Sequence, residues 1–238
     1  MTFDTPLTAG VLIRRYKRFL CDVKLDDGTV VTAHCPNSGR MTGCSDPGWD
    51  VRLSYHDAPT RKHAHTLELV HNGTCWIGVN THRTNAVAAE AVEAGVIPGL
   101  DGFDEVRREV RLGANSRVDI LGVRGQRPCY IEVKSVTMVA DDGVYRFPDA
   151  PTARGRKHLQ ELTAAVADGA RAVMLYVLQR SDGRGFGPAD DIDPEYGRLL
   201  RTATAAGVEV LACAAEVSPA GITLTARQEP LVGESLSR

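Results

Sequence analysis

An acidic pair and a lysine stand close together in the middle of this chain. Asp119 lies in one apolar run, and Glu132 and Lys134 lie in the next. Because side chains alternate along a strand, Glu132 and Lys134 share one face while Ile131 and Val133 pack on the other. The pattern predicts two neighbouring strands with charged groups on a common face.

The turn between these runs predicts how the two strands pair. Residues 116–123 and 128–136 flank Arg124-Gly125-Gln126-Arg127, and glycine at the first central position suits a two-residue type II′ turn. In that register Asp119 lies directly opposite Glu132 at a non-hydrogen-bonded site, with Cβ atoms about 4.5–5.5 Å apart.

Two carboxylates at that spacing repel each other by about 3 kcal/mol at an effective dielectric constant of about 20, so they require a cation or a shared proton. Mg²⁺ takes one or two carboxylates, a carbonyl and several waters, and Asp119, Glu132 and the Val133 carbonyl supply such a set. Lys134 would reach the attacking water or the charge that develops on the phosphoryl group. The alternative is a solvated sheet face on which Lys134 simply offsets the acids.

The surrounding elements have a definite order. A helix over 85–94, a strand over 105–112, the hairpin, an amphipathic helix over 152–168 and a buried strand over 171–179 follow one another. This order predicts an α/β layer with mixed pairing, helices on both faces and the charged hairpin at its centre. A helix over 193–206 and strands over 208–213 and 221–225 extend the sheet.

Several long motifs resemble one bacterial family. The order of elements, with Asp119 and Glu132-X-Lys134, resembles the PD-(D/E)XK nuclease superfamily. The chain from Leu7 to about Val232 resembles the sugar fermentation stimulation protein A family. The family motifs are Ala33-His34-Cys35-Pro36-Asn37-Ser38-Gly39-Arg40-Met41, Gly78-Val79-Asn80-Thr81, Ser116-Arg117-Val118-Asp119, Phe147-Pro148-Asp149-Ala150 and Arg154-Gly155-Arg156-Lys157-His158-Leu159.

The resemblance implies an α/β (α+β) fold. An N-terminal OB-like β-barrel over 1–80, which binds nucleic acid, precedes a PD-(D/E)XK nuclease-like mixed sheet with flanking helices over 81–232, and 233–238 form a tail. It also implies that an acid from the first helix reaches the metal, and Glu90 matches by position, with Glu93 as the alternative. Asp149 follows the Glu-X-Lys strand, so the metal acid is Asp119.

The first 80 residues contain short strand-like runs at 11–13, 20–25, 30–34, 51–55 and 66–70. Five short strands with long loops suit a small Greek-key barrel. OB-folds of this kind bind oligonucleotides through a basic groove and stacked aromatic rings.

The formal net charge of −2 is not typical of a general nucleic-acid binder, so binding would depend on local basic clusters. One cluster is Arg14, Arg15, Lys17 and Arg18, interleaved with Tyr16 and Phe19, for which phosphate contact and a solvated edge strand are both open. Arg107, Arg108 and Arg111 form another. A further cluster is Arg154, Arg156 and Lys157, at the start of a helix capped by Thr152, which suits a phosphate. His158 is interpreted as a packed or surface histidine in preference to a proton-transfer group.

These features predict a nuclease that hydrolyses phosphodiester bonds in DNA, with RNA left open. Asp119 and Glu132 would hold Mg²⁺ or Mn²⁺, and Lys134 would orient the attacking water. The alternative is a non-catalytic DNA-binding regulator of sugar-metabolism genes on a nuclease scaffold. Six scattered cysteines, no membrane-spanning run and no signal-peptide pattern predict a cytoplasmic protein without membrane contact, and a homodimer is left open.

Overall fold

The structure, a computed structural model, describes residues 1–59, 61–112 and 116–232, and the predicted tail over 233–238 lies outside the described residues. Within these ranges the chain first forms a β-barrel and then an α/β sheet with three helices. None of the helices within the described ranges has the length and apolar character that crossing a bilayer requires.

The barrel contains the five predicted strands and one short addition. The strands are β1 (Thr8–Tyr16), β2 (Leu20–Leu25), β3 (Val30–His34), β4 (Asp50–Tyr55), β5 (His65–His71) and β6 (Trp76–Gly78). They pair in the order β3-β2-β1-β4-β5-β6, and a parallel pair between His34 and Thr66 joins β3 to β5 and closes the barrel. Alternation along β1 buries Leu12 in the barrel core and exposes Val11 and Ile13. The predicted OB-like barrel is confirmed.

The second unit has a central sheet of six strands and a small sheet of three. Its elements are α1 (Thr81–Glu93), β7 (Glu105–Leu112), β8 (Ser116–Arg124), β9 (Arg127–Val136), β10 (Met138–Val139), β11 (Tyr145–Phe147), α2 (Ala153–Ala167), β12 (Arg171–Leu178), β13 (Phe186–Pro188), α3 (Pro194–Ala205), β14 (Glu209–Ser218) and β15 (Gly221–Gln228). The sheet order is β15-β14-β12-β9-β8-β7, with β9, β12 and β14 parallel and the outer pairs antiparallel. The predicted mixed sheet is confirmed. The short strands β6, β10, β11 and β13 were not predicted, because two or three residues are too few to show an alternating pattern.

Helices cover both faces of the central sheet. Helix α1 packs on one face, where Val87 and Ala88 meet Val133 of β9. Helices α2 and α3 pack on the other face, where Leu159 and Leu200 are buried against β12. Because β12 is enclosed on both sides, its sequence is an uninterrupted apolar run.

The predicted hairpin register is confirmed. Arg124 pairs with Arg127, and the ladder continues to the pair of Ile120 and Ile131. Gly125 has a φ of +62°, whereas Gln126 is not among the residues with positive φ, as a type II′ turn requires. The next position in this register sets Asp119 against Glu132, where the ladder between β8 and β9 ends.

The barrel is bonded firmly to the sheet unit. Buried Glu68 of β5 accepts hydrogen bonds from Asn80 at 2.8 Å and from Arg83 of α1 at 2.9 and 3.2 Å. The Met41 N–H of a barrel loop donates to Asp149 Oδ2 at 2.9 Å. Arg180 of the sheet unit donates to the carbonyl of barrel residue 43 at 3.0 Å. These contacts hold the two units in one relative orientation.

The first three residues also belong with the sheet unit. Thr2 forms a β-bridge with Gly221 at the start of β15, and the Phe3 N–H donates to the Ala220 carbonyl at 3.2 Å. Residues 1–3 therefore lie against the edge of the central sheet, and the chain enters the barrel afterwards, at β1.

Candidate functional site

Asp119 interrupts the ladder between β8 and β9. The next hydrogen-bonded pair in the observed register would join Val118 to Val133. The Val133 N–H donates instead to Asp119 Oδ2 at 2.8 Å, and Asn85 of α1 donates to Asp119 Oδ1 at 2.6 Å. Both carboxylate oxygens are therefore held where the two strands separate.

Glu132 lies in a second, adjoining network. Its side chain is 4% exposed, and its Oε1 contacts both Lys134 Nζ and His158 Nδ1. Arg154 Nε donates to His158 Nε2 at 3.3 Å. Because Nε2 accepts that bond, the ring proton resides on Nδ1 and is donated to Glu132. His158 is packed, as interpreted from the sequence, and it also orients the acid.

The two acids take their partners from opposite faces of the sheet. Asp119 is bonded to α1 through Asn85, whereas Glu132 is bonded to α2 through His158. They still interact, because the charge of Glu132 contributes to the pKa of Asp119. Both acids therefore border the gap where β8 leaves β9, instead of lying flat on one strand face.

The pKa values of the two acids move in opposite directions. Burial, and after it the charge of Glu132, raises the pKa of Asp119 from 3.8 to about 6. Burial also acts to raise the pKa of Glu132, but the hydrogen bond from His158 and the charge of Lys134 outweigh it and lower that pKa. Glu132 therefore ionises first, and the second negative charge is unfavourable until a cation offsets it.

A cavity of about 360 Å³ lies between the barrel and the sheet and is called the junction cavity. The barrel contributes Arg18, Ser38 and Gly39, and the sheet unit contributes Asn85 and Lys134. A Cβ at Gly39 would overlap the Asp149 carboxylate, so only glycine permits this close approach of the two units. The Asp of the Phe-Pro-Asp-Ala motif thus seals one wall of the cavity.

The first basic cluster divides into structural and accessible residues. The Arg15 guanidinium donates to four carbonyls, those of Arg18, Asn37, Gly39 and Arg40. Arg14 pairs with Asp22 at 2.9 Å. Arg15 is therefore committed to the barrel loop, and Lys17 and Arg18 remain exposed, with Arg18 on the junction cavity.

The basic cluster at the start of α2 is also mostly engaged. Arg156 lies 3.4 Å from Asp193, and Lys157 lies 3.6 Å from Glu161. Arg154 contacts His158 behind Glu132. Of these three cations, Arg154 is the one joined to the acidic site. The predicted helix cap is confirmed, because Thr152 accepts from the Gly155 N–H at 3.0 Å.

Glu90 does not join the acids, contrary to expectation. Its carboxylate is 61% exposed and lies 2.8 Å from the amino group of Met1. Helix α1 begins at Thr81, earlier than expected. It packs with Asn85 facing Asp119, and Glu90, five residues on, is rotated from Asn85 by about 140° around the helix axis. Across the described parts of the chain, no group of three or more His, Cys, Asp or Glu is arranged to hold a metal ion. No sequence pattern marks Asn85, whereas His158 belonged to a recognised motif.

The fold and the site define a class of two-unit protein. In this class an OB-type barrel precedes a nuclease-like α/β sheet that carries an acid pair and a lysine. The chain belongs to the sugar fermentation stimulation protein family. Residues 82–221 match the model of the sugar fermentation stimulation protein RE domain, and 13–79 match that of the SfsA N-terminal OB domain. The resemblance drawn from the sequence motifs is thereby confirmed.

Relatives match over nearly the whole chain. The sugar fermentation stimulation protein homolog of Geobacter sulfurreducens is 53% identical over 234 residues, covering 98% of this chain and 100% of that protein. The homolog of Geotalea uraniireducens is 52% identical over 227 residues, covering 95% and 98%. The structure of Pyrococcus furiosus SfsA in complex with Ca²⁺ is 26% identical, has a TM-score of 0.86 and covers 98% of each chain.

Proposed function

We propose that this chain hydrolyses phosphodiester bonds in nucleic acid with the help of a divalent metal ion. The observation behind this proposal is that Asp119, Glu132 and Lys134 interact electrostatically where β8 and β9 separate, and that Lys134 lines the junction cavity. A cavity between the barrel and the sheet unit that carries the acid pair suits a polyanionic strand bound by one unit and cleaved by the other.

The acid pair fits a hard divalent cation. Among the described residues, the side-chain partners of Glu132 contact its Oε1, which leaves Oε2 for a metal. Two carboxylates with waters and substrate oxygens satisfy Mg²⁺, which needs no larger protein cage. Burial, and after it the charge of Glu132, raises the pKa of Asp119, as expected of a buried acid pair whose second charge a cation would neutralise. When bound, Mg²⁺ or Mn²⁺ would polarise the scissile phosphate and activate water.

The remaining side chains position the reacting groups. The Val133 N–H and Asn85 hold the two oxygens of Asp119, and His158 with Arg154 fixes Glu132. The Lys134 ammonium is 13% exposed and lines the junction cavity, so it can donate to a phosphoryl oxygen as negative charge develops there. It would exchange its bond to Glu132 for this contact when the carboxylate binds a cation.

A divalent cation is also present in a structural relative. Pyrococcus furiosus SfsA has been solved in complex with Ca²⁺, an ion that takes oxygen ligands as Mg²⁺ does. The shared fold over nearly the full length supports a divalent ion for this chain too.

Cleavage assays test the proposal. Wild type, Asp119→Asn, Glu132→Gln and Lys134→Ala are incubated with labelled single- and double-stranded DNA and with RNA, in Mg²⁺, Mn²⁺ or EDTA. Glu105→Gln is the matched control, because Glu105 is an exposed acid on β7 outside the site. We expect metal-dependent cleavage by wild type and the control, and its loss in the other three.

Two results would contradict the proposal. One is equal cleavage by all variants, which would indicate a contaminating enzyme. The other is no cleavage by wild type in either metal. Salt-sensitive DNA binding that survives loss of both acids would then favour a non-catalytic regulator on the same scaffold.

A further inference from the structure

The turn between β1 and β2 has an unfavourable backbone. Lys17 and Arg18 have φ angles of +47° and +65°, in the left-handed region that residues other than glycine avoid. The Arg15 guanidinium stabilises this turn by donating to the Arg18 carbonyl at 2.7 Å, and the Phe19 N–H donates to the Lys17 carbonyl at 2.7 Å. Strained residues maintained by their surroundings concentrate at binding sites.

The turn carries an exposed aromatic ring and a cation next to each other in the chain. Phe19 is 43% exposed, and Arg18 borders the junction cavity. In OB-folds the loop between the first two strands contributes to ligand binding. The position of this turn in the barrel therefore suits contact with a ligand.

A second cavity of about 360 Å³ adjoins Phe19 and is called the aromatic groove. Its lining residues are Phe19, His34, Pro36, Ser38, Thr81 and His82. Ser38 and Thr81 also line the junction cavity, so the two cavities adjoin each other, one beside the barrel turn and the other reaching Lys134. Burial, with a contribution from nearby His82, lowers the pKa of His34, which keeps that ring neutral at neutral pH.

The chemistry of this surface favours an unpaired nucleotide. Phe19, His34 and His82 place three aromatic rings on the lining of a space at the lower end of the range for small-ligand sites. A nucleobase stacks on such rings regardless of its identity, and the neighbouring Arg18 suits its phosphate. Bases inside a duplex are already stacked on each other, so only a single strand can offer a base to this groove.

We propose that the aromatic groove binds a base of single-stranded nucleic acid, with Phe19 as the stacking platform, and that the strand continues past Arg18 into the junction cavity. The inference rests on the proposed function for its substrate and specifies the single strand as the preferred form. It assigns Phe19, His34 and His82 to binding and leaves Asp119, Glu132 and Lys134 to hydrolysis.

Binding measured without metal tests this inference separately from catalysis. Fluorescence anisotropy in EDTA at low salt compares a labelled single-stranded oligonucleotide with the duplex of the same sequence, for wild type, Phe19→Ala, Phe19→Trp and Val30→Ala. Val30 is the matched control, because it is a 59% exposed apolar residue at the opposite end of β3 from His34.

We expect wild type to bind the single strand more tightly than the duplex. Phe19→Ala should weaken single-strand binding by about fivefold to a hundredfold, the usual effect of losing one stacked base, whereas Phe19→Trp and Val30→Ala should retain it. Thermal unfolding of each variant verifies that the exposed substitutions leave the fold intact.

Equal single-strand affinity of Phe19→Ala and wild type would overturn the inference, as would tighter binding of the duplex or no single-strand binding by wild type. Its failure is distinguishable from that of the proposed function. If the chain cleaves only duplex in a metal-dependent way and Phe19→Ala cleaves it equally well, the inference about the aromatic groove fails and the proposed hydrolysis stands. Phe19-dependent single-strand binding without cleavage in any metal removes only the hydrolytic activity.

Discussion

Replacing Asp119 with asparagine is expected to stabilise the folded chain at neutral pH when no divalent metal is present. Burial, together with the charge of Glu132, raises the pKa of Asp119 from 3.8 to about 6. A shift of about two units corresponds to about 3 kcal/mol by which the ionised form disfavours the folded state. Asparagine at position 119 has no charge, and its Oδ1 can still accept from the Val133 N–H. Its amide N–H can donate to Asn85 Oδ1 once the Asn85 amide rotates.

The effect has a defined pH dependence. The folded chain binds the Asp119 proton more tightly than the unfolded chain, so the wild-type stability due to this group is fully present below about pH 4 and is lost as pH rises through about 6. The Asp119→Asn variant has no ionisable group at this position, so its stability does not fall in this way as pH rises. The stability difference should therefore be small below about pH 4 and approach about 3 kcal/mol above about pH 7.

Urea denaturation followed by circular dichroism measures this difference in EDTA across the pH range. Asp182→Asn is the control of opposite sign, because the hydrogen bonds from Arg180 lower the pKa of Asp182 and its replacement should destabilise the chain at neutral pH. Added Mg²⁺ should narrow the gap by stabilising only wild type. An Asp119→Asn variant that is less stable than wild type at neutral pH, or a difference independent of pH, would refute the reasoning.

Three further substitutions have expected outcomes. Lys134→Ala should lower kcat for cleavage by about 10²–10³-fold with a smaller change in KM, as steady-state kinetics would reveal, whereas a change confined to KM would contradict a role in charge stabilisation. Arg83→Met should lower the free energy of unfolding by about 3 kcal/mol, because buried Glu68 loses its ion pair. Adding Glu68→Gln to this variant should restore part of the lost stability. Equal stability of the single and double variants would argue against an uncompensated charge on Glu68. Asp149→Ala should destabilise the fold by about 1–3 kcal/mol, because the Met41 N–H loses its acceptor, and should slow cleavage by loosening the cavity wall; an unchanged urea midpoint would contradict this.

The local pattern of the sequence contained the strands and their pairing. Alternation over 128–136 and one glycine in a two-residue turn were sufficient to predict the β8–β9 hairpin and its register. The same alternation placed Glu132 and Lys134 on one face, and they are in contact. Such features depend on residues a few positions apart, where backbone geometry leaves few alternatives.

Tertiary packing decided which of the charged residues meet. Arg15 is indistinguishable from Arg18 in the sequence, yet it is half-buried and donates to three carbonyls of the loop over residues 37–40 and to the Arg18 carbonyl. The packing of α1 places Asn85 against Asp119 and Glu90 beside the amino group of Met1.

The longest-range contacts were the least accessible to the sequence. His158 reaches Glu132 across 26 residues, and Phe19 and His82 line one groove although a barrel turn and a helix supply them. A strand's period determines the face on which a side chain lies, but the distance between two faces follows from how whole elements pack. For this reason the sequence alone predicted the acids and the lysine, and only the folded chain defined their partners and the surface that leads to them.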